Sequence, residues 1–298
     1  MEKRVIALGF FDGVHIGHGE LLRKVKARAA ELSAKSSALT YLRHPSEVLA
    51  NTPVKLINTT DERVTLISEL FGIADIIIKD FTEKYASLTC REFVSEVLVR
   101  ELSCVHVVAG YDFRFGSGGS GDAEMLSSLC REFGIGCDVE PPVCIDGRAV
   151  SSTEIRALIA DGKIKEATRL LGHRPCMISE IRHGAKLGGK MNFPTINQSF
   201  LPSVQVPKLG VYSSRTVIDG KEYMSVTDIG VRPTVSDAGE VRAETNILDF
   251  SGTLYGKRIR VELCDFMREE KKFASVSELY EQIARDVAYV RGEKIHRG

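Results

Sequence analysis

The sequence predicts an α/β domain built on a parallel sheet, followed by a small antiparallel β-barrel with a C-terminal helix. Three observations predict this. Between Arg4 and Leu171, short continuous apolar runs alternate with amphipathic stretches, the pattern of strands buried on both faces and joined by crossover helices. After Leu171-Gly172-His173-Arg174-Pro175 the pattern changes to short strands separated by tight turns. One amphipathic stretch, Val276–Val290, closes the chain. The 298 residues suffice for two domains with separate cores, and the expected division is 1–172 and 173–298.

Each element has its own signal. Arg4–Phe10 is a buried strand. Gly19–Ser33 is a helix with Leu21, Leu22, Val25, Ala29 and Leu32 on one face. Ser37–Leu42 is a strand, Asp61–Phe71 a helix, Ala74–Ile78 a strand, Thr89–Glu101 a helix and Val105–Ala109 a strand. Asp122–Phe133 and Thr153–Leu171 are helical. In the second half, Met177–Arg182, Val211–Val217, Tyr223–Ile229, Glu244–Phe250 and Arg258–Leu263 are strands, with turns at Asp219-Gly220, Ser251-Gly252 and Tyr255-Gly256.

Lys and Arg number 40, Asp and Glu 40, so the formal net charge is zero. General coating of nucleic acid needs a basic excess, so none is expected. No apolar run approaches the ~18 residues of a membrane span, so no transmembrane helix is expected, and no membrane partner is expected. Met1-Glu2-Lys3-Arg4 before Val5–Phe11 fits a first strand better than a signal peptide, because the apolar stretch stops at Asp12 without a small-residue cleavage site. The seven cysteines are odd in number and none stands in C-x-x-C spacing. Free thiols in a reducing cytoplasm are expected. A monomer or weak homo-oligomer acting on small molecules is the accompanying expectation.

The sharpest feature is Gly9-Phe10-Phe11-Asp12-Gly13-Val14-His15-Ile16-Gly17-His18. It leaves a buried strand, turns through glycines and enters a helix expected to begin near His18. Gly13 and Gly17 let backbone approach a ligand, and the helix N-terminus offers free N–H groups and a positive dipole end to an anion. His15 and His18 can donate hydrogen bonds to phosphate oxygens. Gly9, Phe10, Asp12, Gly13 and Gly17 are the candidate nucleotide-binding positions of this turn. A second segment, Ser151-Ser152-Thr153-Glu154-Ile155-Arg156, pairs capping hydroxyls with a planar cation one helical turn later. Two glycine patterns are decoys. Gly116–Gly121 matches G-x-G-x-x-G but does not directly follow its strand. Gly184–Lys190 matches G-x-x-x-x-G-K, but Met191 replaces the required hydroxyl and Pro194 prevents the helix that should follow.

The first motif resembles the H-x-G-H signature of the nucleotidylyltransferase superfamily, whose domain is a Rossmann-like parallel sheet. The same string occurs in class I aminoacyl-tRNA synthetases, but no K-M-S-K-S loop is present. Thr40–Pro45, Asp61-Glu62-Arg63 and Gly110–Gly116 narrow the likeness, with the Ser151–Arg156 segment, to the adenylyltransferase half of bacterial bifunctional riboflavin kinase/FAD synthetases. The resemblance implies that His15, His18 and Arg156 stabilise charge at the α-phosphate of ATP, with Ser151, Ser152 and Thr153 beside them. It also implies that His44, Pro45, Asp112, Phe113 and Phe115 border the flavin and adenine sites.

The second half resembles the riboflavin kinase of the same family. His183-Gly184 leads to Phe193-Pro194-Thr195-Ile196-Asn197, and Glu244–Phe250 resembles the family's E-T-x-I-L-D-F strand. The resemblance implies Mg²⁺ held by Thr195 and Asn197, phosphate contacts from Gly184, Gly188 and Gly189, Glu244 as base and Arg268 near the flavin. Hard oxygen donors beside phosphates suit Mg²⁺. The chain departs from the family pattern at Gly188-Gly189, Asn192, Ile196 and Asp228.

The expected function is therefore two ATP-dependent steps, riboflavin to FMN in the second half and FMN to FAD in the first. Two alternatives stand beside it. One is an adenylyltransferase with a degenerate flavin-binding second half; the other is a nucleotidylyltransferase for a different small substrate.

Overall fold

The computed structural model describes residues 2–181, 195–232 and 240–295. The chain forms two compact units, Met1–Ser152 and Thr153–Gly298.

The first unit runs β1 (Arg4–Leu8), α1 (Ile16–Glu31), β2 (Lys35–Tyr41), α2 (Pro45–Leu49), α3 (Thr60–Phe71) and β3 (Asp75–Lys79). Next come α4 (Glu83–Ala86), α5 (Cys90–Glu92) continuing as a π-helical stretch Phe93–Glu101, β4 (Cys104–Gly110), α6 (Ala123–Glu132) and β5 (Gly136–Glu140). A two-stranded hairpin, β6 (Cys144–Ile145) and β7 (Arg148–Ala149), ends the unit. The sheet is parallel throughout, in the order β3-β2-β1-β4-β5. The chain lays down β1, β2 and β3 in one direction, then returns to add β4 and β5 on the other side. That reversal opens a crevice outside the C-terminal ends of β1 and β4, where open α/β sheets bind ligands. Val5, Ile6, Ala7, Val107, Val108 and Ala109 are wholly buried, as continuous apolar strands require.

In the second unit, α7 (Ser152–Ala160), which starts at the unit boundary, and α8 (Ile164–Leu171) precede the barrel. One continuous helix was the expectation for Thr153–Leu171; Gly162, at φ 75°, breaks it in two. Ile164 of α8 is buried with Tyr212, Ile229, Ala243 and Leu263 of the barrel, so the units divide some twenty residues before the expected 172/173 boundary.

The barrel comprises β8 (Cys176–Glu180), β9 (Thr195–Ser199), β10 (Gly210–Ile218), β11 (Lys221–Arg232), β12 (Glu240–Ile247) and β13 (Arg258–Arg268), followed by α9 (Val276–Ile295). The strands pair antiparallel in the order β8-β13-β10-β11-β12-β9, a nearly closed barrel. Its two ends are joined by a side chain: Gln198 Nε2 on β9 donates to Ser179 Oγ on β8 at 2.9 Å and to the Ile259 carbonyl at 3.3 Å. Buried hydroxyls also link strands, Ser214 to Thr227 at 2.7 Å and Thr227 to Thr245 at 2.9 Å, so these sealed hydroxyls gain partners from one another. Sequence patterning missed β5 and β9, whose polar residues hide their strand character.

Candidate active sites

In the first unit the Gly9–His18 segment forms the corner from β1 to α1. Phe11 (φ 59°), Gly13 (φ 77°) and Val14 (φ 45°) all take left-handed backbone. For β-branched Val14 this is a strained conformation costing about 1–3 kcal/mol. Burial of Phe11 and Val14 to 0% and 1% exposure holds it in place.

The helix starts at Ile16, not near His18, because His15 is its cap. The backbone N–H of His18 donates to His15 Nδ1 at 3.3 Å. That bond uses a lone pair of His15 Nδ1, so a ring proton sits on Nε2. The two imidazoles stack with centroids 3.6 Å apart at 16°. A Cβ on Gly17 would stand 3.2 Å from the His15 ring, so glycine makes room for the stack. Burial, and secondarily the charges of His15 and Arg63, hold the His18 imidazole well below its usual value, leaving it neutral at neutral pH. Its Nδ1 is buried without a hydrogen-bond partner.

Asp12, 4% exposed, ties three segments together. Its Oδ1 accepts from the Ile57 N–H at 2.8 Å, and its carbonyl accepts from Ser152 Oγ at 2.9 Å. Ser152 is thus anchored on the first motif. Arg156, one turn along α7, donates to Thr153 Oγ1 at 3.0 Å within the second unit.

The segments expected to border flavin and adenine follow the C-terminal ends of β2 and β4. His44 caps α2, its Nδ1 accepting from the Ser46 N–H at 3.2 Å, and Pro45 occupies the first turn. The His44 ring meets Phe10 edge-on at 4.7 Å. Asp112 is exposed beyond β4, and half-buried Phe113 stacks on Phe115 at 5.9 Å. Phe115 itself is a core side chain, 6% exposed and 5.4 Å from Phe93. Sequence reasoning gave no role to Asn58, 1% exposed with Oδ1 unpartnered, or to Arg63 individually. The signal for Arg63 was its position three and four residues before buried Leu66 and Ile67, on the apolar face of α3.

In the second unit the ladder sets Glu244 of β12 between Asn197 of β9 and Asp228 of β11, while Asn246 faces Thr195. Directly opposed residues share a face. Ile196, Thr227 and Thr245 point into the barrel, at 4%, 0% and 0% exposure, so the alternating residues point outward. Thr195, Asn197, Glu244, Asn246 and Asp228 therefore share the outer face. Asn246 Oδ1 is buried without a partner. One hydroxyl, two carboxamides and two carboxylates form a donor set fitted to a hard cation. Gly184, Gly188 and Gly189 lie outside the described residues. Arg268 is engaged with the C-terminal helix: its Nε and Nη2 donate to Asp286 at 3.1 and 2.7 Å, and Asp286 is 5% exposed.

No helix among the described residues is long and apolar enough to cross a membrane. A family model described as FAD synthetase matches residues 1–154, and one described as riboflavin kinase matches residues 171–293. The chain is 35% identical to a bifunctional riboflavin kinase/FMN adenylyltransferase of Pseudomonas fluorescens, over 96% of this chain and 92% of that one. It is 32% identical to the Bacillus subtilis protein of the same name, over 95% and 90%. A crystal structure described as a macrolide-efflux protein from Streptococcus pneumoniae superposes with a TM-score of 0.82 at 32% identity, over 97% of this chain and 94% of that one. Both signatures, each on its own compact unit, and whole-length likeness to these relatives agree: the chain belongs to the bifunctional riboflavin kinase/FMN adenylyltransferase family.

Proposed function

We propose that this chain converts riboflavin to FMN in its second half and FMN to FAD in its first, each step consuming ATP, with the functional division at 1–172 and 173–298. The observation that carries the reading is the match of each half to its own family model, on units that each hold a complete sheet.

In the second half, Glu244 takes the proton of the ribityl hydroxyl as that oxygen attacks the γ-phosphorus and the bond to ADP breaks. Thr195 and Asn197 would hold Mg²⁺, with Asn246 and Asp228 on the same face. The ion, when bound, neutralises charge on the phosphates. In the first half, the FMN phosphate attacks the α-phosphorus of a second ATP and pyrophosphate leaves. An ionised phosphate is already a nucleophile, so the protein supplies donors and not a base. His15, His18, Arg156 and the N–H groups opening α1 stabilise the charge that develops on the phosphates. Gly9, Phe10, Asp12, Gly13 and Gly17 shape the turn, and His44, Pro45 and Phe113 border the flavin. We assign the reaction to the cytoplasm and to a monomer or weak homo-oligomer, without nucleic acid.

Chromatography of products from riboflavin, ATP and Mg²⁺ tests this directly. FMN appearing first and FAD second is the expected result. FMN without FAD, or neither, overturns the corresponding half.

A further inference from the structure

Arg63 is the largest wholly buried side chain among the described residues, at 0% exposure. It stands on α3 behind the β1–α1 corner. Its Nη2 donates to the Tyr41 carbonyl at 2.6 Å and more weakly to Thr60 Oγ1 at 3.4 Å. Its guanidinium carbon lies 4.2 Å from the centre of the Phe10 ring. Nε and Nη1 are buried and meet no hydrogen-bond partner.

Burial lowers its pKa to about 10, against the favourable charge of Asp12, so it remains a cation at neutral pH. A buried guanidinium is ordinarily matched by a carboxylate that bonds its N–H groups. Here a carbonyl, a threonine hydroxyl and an aromatic face take the place of a bonded carboxylate, and Asp12 acts on the cation only through its charge, so part of the positive potential persists inside a low-dielectric interior. Among the nearby groups the Asp12 carboxylate offsets it in part. His18 is neutral, and its unpartnered Nδ1 and the unpartnered Asn58 Oδ1 are dipoles.

Such a charge falls off slowly through protein and is felt at the corner in front of it. We infer that Arg63 is a positioning residue for adenylyl transfer, drawing the substrate's phosphates onto the His15–His18 edge from behind while its stack fixes Phe10. This rests on the adenylyl-transfer reading above.

Three measurements on the full chain test it, with FMN formation as internal control. Arg63→Met keeps bulk and removes charge. The KM for ATP in FAD formation should rise roughly 10- to 100-fold, more than kcat falls, because a charge behind the site acts on bound and reacting phosphate alike. Arg63→Lys should recover most of that loss. In Arg63→Met, but not in Arg63→Lys, the His18 imidazole should titrate at higher pH by NMR, since a like charge has gone. An unchanged KM and an unshifted His18 in folded Arg63→Met would overturn the inference. If that variant does not fold, the wild-type protein decides. The Arg63 Nε–H resonance, assigned by its absence in Arg63→Lys, should shift when pyrophosphate is added, and a resonance unmoved at saturation would sink the idea. Wild-type protein that makes FMN but no FAD would instead refute the underlying reading.

Discussion

In the first unit the groups proposed to meet phosphate come from one corner, Gly9–His18, whereas in the second the groups proposed to hold a cation come from three strands far apart in sequence. The corner gains its geometry from backbone: left-handed Phe11 and Val14, a histidine cap and a helix N-terminus. The strand face gains its geometry from ladder register, which lines up Asn197, Glu244 and Asp228. The proposed anion site offers N–H groups and dipoles on a buried corner, and the proposed cation site offers oxygens on an open sheet face. The difference follows from chemistry, because backbone N–H groups at a helix start are already unpaired while strand N–H groups are spent in the ladder.

The contrast breaks most visibly at Glu244. Glu244→Gln keeps the shape and removes the proposed base, so FMN formation should fall roughly 10²- to 10⁴-fold. Conversion of supplied FMN to FAD should not change, and chromatography of both products measures this. A rate within a few-fold of wild type would make Glu244 a strand carboxylate facing water.

At the corner, His15→Ala or His18→Ala should lower FAD formation by about 10²- to 10³-fold and spare FMN formation. Loss of both activities in folded protein would mean the two sites are not independent. His15→Ala also removes the α1 cap, so its unit should lose about 1 kcal/mol of stability.

Arg268→Ala sharpens the comparison from the side of stability. It removes the cation from Asp286, which is buried, bonded by two guanidinium nitrogens and also accepts from Gln282 Nε2 at 2.9 Å, and breaking such a pair costs about 3–5 kcal/mol. Thermal unfolding should show the second unit weakened and the first unmoved.

The smallest effect is pH dependence of the first unit. His18 is held below its usual value when folded but titrates near ~6.5 when unfolded. Above that pH both states are neutral. Below it only the unfolded chain gains the proton, so stability falls as pH falls, by about 1 kcal/mol at a pH of ~5.5. His18→Gln should flatten that slope in denaturant titrations.

What the sequence reveals differs between the two regions for the same reason. The corner is contiguous, so His15, His18, Asp12 and the glycines can be read from one string. The helix start was misplaced by two residues because a histidine cap has no strong sequence signal. The strand face depends on register, which no local pattern fixes, so the nearness of Asn197 and Asp228 to Glu244 emerged only in three dimensions. Arg63 was hidden by its type: an arginine on a helix reads as solvated, and only its apolar neighbours Leu66 and Ile67 argue otherwise. β5 was missed because Asp138 and Glu140, which pair with Arg28 and Lys24, make an edge strand look like a loop.

Gln198 gives the barrel an unusual mechanical property. Five of its joints are continuous ladders, but the sixth is a side-chain clasp between β9 and β8. A ladder resists separation cooperatively, while a clasp lets go in one event. The hoop therefore has one soft direction, and the stave on the soft side is β9, which presents Thr195 and Asn197 outward while Gln198 reaches inward. If those two residues hold the proposed ion, load on them is borne at the seam, and the girth of the barrel and the grip on the ion are set by the same five-residue strand.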